Sequence, residues 1–370
     1  MNAKRLTRRE ALAAGAAAMV FAGCTNRPTA EAEREEQTPG GDDGAAGNIR
    51  RAPDVGEPIA DFDRNGAWIG MCVLPKAYHI VGYPQTAPAP PPRPGEPPQT
   101  WVSMYNPSFD VKGEDATRVE VIDYDGRLCW VDKALLNSLA GAIEQATKAL
   151  ANNSRDTFAR ASRGWAQYLL GKNDLAVADL NELLKLIPPG AQSDPVLASQ
   201  WADGLIARGL IHAELGEFAR ALADLDSAIQ AEWSLGIAFT NRGYTFELKG
   251  EYAKALADYD QATQRPAVPV LAQNNKAWIL ATCPQSKFRD GAEAVKLMNA
   301  VCERTQNREG MYLDTLAAAY AEAGKFDDAV KAQEKALEDK YYAIRYGEGG
   351  RQRLQLYKDK KPFRTEPVKQ

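Results

Sequence analysis

From Thr157 onward, small and apolar residues return every three or four positions, the spacing that puts them on one stripe of a helix, and the stripes come in pairs. Ala221, Leu225 and Ala228 make one such stripe, and Ala255, Tyr259 and Ala262 make another 34 positions later. The glycines keep the same period: Arg208-Gly209 and Arg242-Gly243 each lead, seven residues on, to a second glycine, Gly216 and Gly250. A fixed period of this length predicts stacked helical hairpins, each burying its apolar face only against its neighbours. Arg163-Gly164, Gly171, Ala176, Leu180 and Leu183 form an earlier copy, set off by an 11-residue insertion, and a divergent copy opens at Asn274 and is interrupted from Cys283 to Asp290. The last copy carries Ala317, Tyr320, Gly324, Phe326, Ala329 and Ala336. Five copies span Thr157 to Asp339, and Ala142, Ala146 and Ala149 fit the second helix of an incomplete one upstream.

Between Asp61 and Lys133 the pattern changes to short runs of β-branched and aromatic residues bounded by Gly and Pro, which predict strands. The expected strands are Trp68 to Leu74, Tyr78 to Tyr83, Trp101 to Tyr105, and a hairpin of Arg118 to Ile122 with Arg127 to Val131 turning at Gly126. Pro84 to Pro98 holds eight prolines and must loop out of any sheet. Asp61, Asp63, Asn65 and Gly66 open like a calcium loop, but the closing position is Cys72 rather than Glu, so no metal site is expected.

The first residues change the picture. Lys4, Arg5, Arg8 and Arg9 precede the uncharged stretch Ala11 to Ala22, the layout of a secretory signal. Phe21-Ala22-Gly23-Cys24 resembles a bacterial lipobox, which implies cleavage after residue 23 and lipidation of Cys24. Residues 24–60 lack aromatics and read as a disordered linker, too polar to offset the entropy of ordering. The expected organisation is signal peptide 1–23, linker 24–60, β module 61–133, helical array 134–345 and basic tail 346–370.

A net charge of -4 gives no footprint for nucleic acid. Two histidines, His79 and His212, with no nucleophile motif, phosphate loop or dinucleotide fingerprint, give no basis for catalysis, and no cofactor is expected. Export permits disulfides, and Cys72 with Cys129, and Cys283 with Cys302, are the candidate pairs; buried thiols are the alternative.

The 34-residue period, the small residues at the hairpin crossing and the Gly-Glu-Phe-Ala-Arg-Ala and Gly-Glu-Tyr-Ala-Lys-Ala turns resemble the tetratricopeptide repeat. Gly66-Ala67-Trp68-Ile69-Gly70, with Val73-Leu74-Pro75-Lys76 and Leu128-Cys129-Trp130-Val131, resembles a bacterial SH3-like domain. Together they resemble a bacterial family of exported repeat proteins, which implies a mainly α fold: a helical-hairpin solenoid preceded by a small SH3-like β-barrel. In such arrays the first helix of each pair lines a concave groove. The groove residues are then Trp165, Tyr168, Asn241, Tyr244, Glu247, Asn274, Trp278 and Asp314, with Leu210 and Ala318 continuing the row of Trp165, Tyr244 and Trp278. Aromatic rings so placed either grip a peptide or pack between helices. The functional expectation is a non-catalytic scaffold held at the cell envelope by lipid, with a protein or peptide partner in the groove; the alternative is a cell-wall-binding β module with the helices as spacer.

Overall fold

A computed structural model describes residues 72–75, 80–84, 101–102, 109–122, 128–187, 195–231, 235–264 and 269–366. The export segment with Cys24, the linker, the Asp61 to Gly66 motif, His79 and the loop after Pro84 lie outside them.

Seven strands pair antiparallel in the order β3-β2-β6-β5-β4-β1-β7. They are β1 (Cys72–Pro75), β2 (Ile80–Pro84), β3 (Trp101–Val102), β4 (Phe109–Glu114), β5 (Arg118–Ile122), β6 (Leu128–Asp132) and β7 (Leu136–Asn137). The predicted hairpin forms as β5 and β6, with Val119 opposite Val131 and Val121 opposite Cys129. Alternation along these strands sends Val111, Val119, Val121 and Val131 to one core, joined by Leu136. Strand β4 escaped prediction because Asp110, Lys112 and Gly113 dilute its apolar pattern; a bulge between Val111 and Gly113 shifts its register against β5. Cys72 and Cys129 sit on β1 and β6, which β4 and β5 separate, so they are not cross-strand neighbours.

Twelve α-helices follow among the described residues: α1 (Leu139–Asn152), α2 (Thr157–Leu169), α3 (Asn173–Leu186), α4 (Pro195–Glu214), α5 (Phe218–Gln230), α6 (Leu235–Leu248), α7 (Tyr252–Thr263), α8 (Val270–Thr282), α9 (Gly291–Arg304), α10 (Gly310–Glu322), α11 (Phe326–Glu338) and α12 (Lys340–Lys358). From α2 to α11 they pair as five hairpins, and α1 stands where the incomplete copy places a lone second helix. The insertion lengthens α4 to 20 residues, against 14 in α6.

Side-chain oxygens start several helices: Ser138 accepts from Gly141 N–H, Asp156 from Ala159 N–H and Asp290 from Glu293 N–H. Within hairpins the turn requires positive φ, which Gly216 and Gly250 adopt at 80° and 78°. Gly243 serves a different need, close approach of paired helices: a Cβ there would lie 2.8 Å from the Tyr259 ring.

The arginine before each crossing glycine does more than its charge suggests. Arg163, Arg208 and Arg242 each grip the aspartate 16 residues ahead with two nitrogens, at 2.7 to 2.8 Å: Asp179, Asp224 and Asp258. The remaining nitrogen of Arg208 donates to Asn181 at 2.6 Å and that of Arg242 to Asp226 at 2.7 Å, both on the preceding hairpin. Lys276 continues the row by donating to Asp260 at 2.6 Å. Fork geometry lets one guanidinium satisfy two carboxylates, and the pairing raises the pKa of Arg242.

The sheet touches the array at both ends. Helix α1 lies against β1 and β7. At the far end, Lys112 of β4 reaches Glu309 at 3.1 Å and Asp339 at 2.9 Å, and Glu120 of β5 pairs with Arg308 at 2.6 Å. Lys112 and Glu309 are almost fully buried. Desolvation raises the Glu309 pKa against the pull of Lys112. For Asp339 burial works in the same direction, but Lys112 and the N–H groups of Gly310 and Tyr342 overcome it and the pKa falls.

Lys112→Met leaves two buried carboxylates without a cation, and should lower stability by about 3 kcal/mol at pH 7. With Lys112 gone both carboxyls acquire raised folded-state pKa values, so the variant's deficit grows as pH rises through them and shrinks toward pH ~4. Urea unfolding of both chains at the two pH values checks this; an equal deficit at both contradicts it.

Candidate functional site

Helices α2, α4, α6, α8 and α10 are the first members of the hairpins and line the inner face. The structure places every predicted groove residue on them: Trp165 and Tyr168 on α2, Asn241, Tyr244 and Glu247 on α6, Asn274 and Trp278 on α8, Asp314 on α10. None is open to solvent; all eight are at most 4% exposed. An exposed aromatic stripe is therefore not what this face presents.

Part of that burial is packing within hairpins. The Trp165 and Tyr168 rings lie 5.0 Å apart, and Glu247 accepts from the Tyr259 hydroxyl of α7 at 2.9 Å. Burial and the nearby Glu247 hold Tyr259 far above the ordinary phenol pKa, so it stays a donor.

At Asp314 and Trp278 the burial comes from the C-terminal segment, which crosses the 345/346 boundary as one helix and then returns over α10 and α8. From α12, Arg353 donates to both oxygens of Asp314 at 2.7 and 2.9 Å, and neither side chain is exposed at all. The same guanidinium donates to the Tyr342 hydroxyl at 3.1 Å and lies 5.8 Å from the Trp278 ring and 5.5 Å from that of Phe363. Asp339 starts α12 by accepting from the N–H groups of Tyr341 and Tyr342.

Beyond α12, Phe363 packs on Trp278 with centroids 5.9 Å apart. Thr365 donates its N–H to Thr282 O at 3.0 Å and its hydroxyl to the same oxygen at 3.1 Å. Arg364 pairs with Glu322 and donates to Ala281 O at 3.3 Å. Leu354, Leu356, Tyr357 and Phe363, interleaved among the charges, point in the sequence to a terminal helix covering the last repeat, and α12 is that helix; the basic end beyond it, expected to be solvated, instead packs on α8 and α10.

Several buried side chains on the inner-face helices keep polar atoms without a hydrogen-bond partner among the described residues: both amide atoms of Asn241, the amide oxygens of Gln167, Gln200 and Asn274, the amide nitrogen of Asn275 and the indole nitrogen of Trp278. Asn274 spends only its amide nitrogen, on Asn275 Oδ1 at 3.3 Å. An unsatisfied buried polar group costs about 1–3 kcal/mol, and such groups also occur away from these helices, on Gln333 and Tyr357 for example.

The cysteines of the interrupted copy do not form a bridge. Cys283 packs with Tyr252, Tyr259 and Ile279, while Cys302 belongs to the main core with Met298 and Val301. The two thiols face different clusters, and burial pushes that of Cys302 up to about 12, which keeps it protonated. His212 sits beside Glu217 at 2.6 Å, within its own hairpin turn. Among the described residues no group of His, Cys, Asp and Glu is arranged to hold a metal, and no helix is long and apolar enough to cross a membrane.

Neither a family model nor a curated protein matches the chain. Among solved structures, a tetratricopeptide repeat protein from Parabacteroides merdae is 19% identical over 60% of this chain and 85% of its own, with a TM-score of 0.40. YrrB, described as a tetratricopeptide protein with an unusual peptide-binding site, is 16% identical over 56% of this chain and 99% of its own, with a TM-score of 0.34. A complex of the TPR2AB domain of yeast Sti1 is 15% identical over 60% and 92%, with a TM-score of 0.26. At these scores the likenesses carry no inference about ligands; the hairpin architecture stands on the chain's own helices.

Removing one member of the Arg353–Asp314 pair strands a charge that nothing else neutralises. Arg353→Met alone should cost about 3–5 kcal/mol, whereas Arg353→Met with Asp314→Leu should recover much of the loss. A double-mutant cycle by urea unfolding measures the coupling, and additive losses would show that the pair is not the contact described.

Proposed function

We propose that the protein is a non-catalytic scaffold at the bacterial cell envelope, tethered through a lipid on Cys24, whose helical array binds an extended peptide or protein segment on its inner face. The observation that carries the binding reading is the set of buried, unpartnered polar atoms of Asn241, Asn274 and Trp278. A side-chain amide offers one acceptor and one donor pair, the complement of a peptide bond, and a main chain laid beside Asn241 and Asn274 would supply both. Large flat rings next to them add apolar area at low entropic cost. The envelope reading is supported by Lys4 to Arg9, the uncharged stretch after them and Cys24 following a small residue. Residues 25–60, rich in charge and poor in apolar residues, would hold the folded part away from the surface.

Because Trp165, Tyr244 and Trp278 also pack the core, their replacement would test stability and binding together; the amides separate the two. Random peptides displayed on phage and selected on the full chain should yield binders whose affinity falls at least tenfold on Asn241→Leu with Asn274→Leu, about 1.4 kcal/mol, while the melting temperature holds or rises. Selected peptides that bind the double variant equally well would remove the inner face as the site. For the tether, labelled fatty acid should enter the wild-type chain during growth and be lost in Cys24→Ser, with the protein shifting to the soluble envelope fraction; equal labelling contradicts lipidation at Cys24.

A further inference from the structure

The chain already carries a segment bound on the inner face, and that segment specifies what the face accepts. Residues 361–366 leave α12 and run over α10 to α8 without secondary structure of their own. They bind as a foreign peptide would: a main-chain N–H to a helix carbonyl, an aromatic ring in an apolar seat, and a cation on a carboxylate. The N–H is that of Thr365, bonded to Thr282 O; the ring is Phe363 against Trp278; the cation is Arg364, shared between Glu322 and Ala281 O. Phe363 and Thr365 are 5% and 6% exposed, although the segment lies almost at the end of the chain. Glu322 also accepts from Arg289 of the interrupted copy at 3.0 Å, so this one carboxylate answers two cations.

We propose that the α8–α10 part of the inner face is a docking site selective for a Phe-Arg-Thr-like segment, an aromatic residue followed by a cation and a small hydroxyl, and that residues 361–366 are its resident occupant. A partner bearing such a segment then binds by exchange with the tail. This rests on the inner-face reading above but concerns α8 and α10 rather than α6, and it names the chemistry of the partner. Charge supports the choice: Asp314 and Glu322 line the seat, Arg353 answers the first, and Arg364 the second. An acidic segment would set a second negative charge beside Glu322 in place of Arg364, leaving Arg289 as the cation there, and be rejected.

A tethered occupant competes at an effective concentration of about millimolar, so a free peptide meets the wild-type chain with its affinity cut at least tenfold. The test uses the full chain and a fluorescent peptide with the sequence of residues 359–370. Wild type should bind it weakly, and the full-length variant Phe363→Ala with Arg364→Ala should bind it at least tenfold tighter by anisotropy. A peptide carrying the same two changes should bind neither chain. Equal weak binding by both chains, with circular dichroism unchanged, overturns the proposal. Should the variant unfold, wild type decides alone: the Thr365 amide should be protected from hydrogen exchange and lose that protection on adding excess peptide, and protection indifferent to the peptide overturns the proposal equally. Phage-selected binders sensitive to Asn241 and Asn274 but indifferent to the tail variant would leave the inner-face reading standing while this one fails.

Discussion

In the first three hairpins the guanidinium before the crossing ties neighbouring helices in one geometry, and the register of the stack depends on it. A helical hairpin of this size buries too little to persist alone, so its orientation against the next hairpin must be fixed by something directional. Arg242 does this by gripping Asp258 on its own partner helix with two nitrogens and Asp226 on the preceding hairpin with the third. Dispersion among alanines brings the helices together but tolerates sliding; a planar fork on a carboxylate does not. The row continues where the spacing is broken. Arg208 still reaches the preceding hairpin, through Asn181, although the insertion intervenes, because the extra residues are taken up outside the crossing. It ends in the final hairpin, where Leu316 occupies the equivalent position and the ionic bonding moves to the inner face as Arg353 and Asp314.

That change of side explains why the C-terminal segment matters to the architecture. A row on one flank of the hairpins leaves polar groups of the inner helices without partners, as at the buried Asn241. Where the row stops, α12 and the residues after it fill the inner face and bring a buried cation with them. The last hairpins therefore gain ionic bonding on that face, and α6 keeps the unpartnered amide of Asn241.

The hairpins were legible because a 34-residue period is enforced by packing: a large residue at Gly243 would strike Tyr259, and any residue at Gly216 other than glycine would strain the turn. Such constraints write themselves into single positions. The strands β5 and β6 were legible for a related reason, two β-branched and aromatic runs flanking the turn residues that end at Gly126. What escaped was set by contacts between distant segments. Lys112 looks like a solvated charge on a weak strand until Glu309 and Asp339 face it from nearly 200 residues or more away. Likewise the eight groove candidates were placed on the correct helices, but the burial of Asp314 and Trp278 involves Arg353 and Phe363 from the far end of the array. A cation in a basic tail and a cation sealed against Asp314 have the same letter.

The sheet that meets α1 at one end and α10 to α12 at the other has a mechanical consequence. Stacked repeats ordinarily unzip from their termini, since a terminal unit has one neighbour and an internal unit two. Here the first helix rests on β1, and the last hairpin is held to β4 and β5 by Lys112 and Glu120. Neither terminus is loose, so the one-dimensional stack behaves as a spring with its two ends clasped. The clasp runs through the four adjacent strands β7, β1, β4 and β5, and stretching the stack requires it to open first.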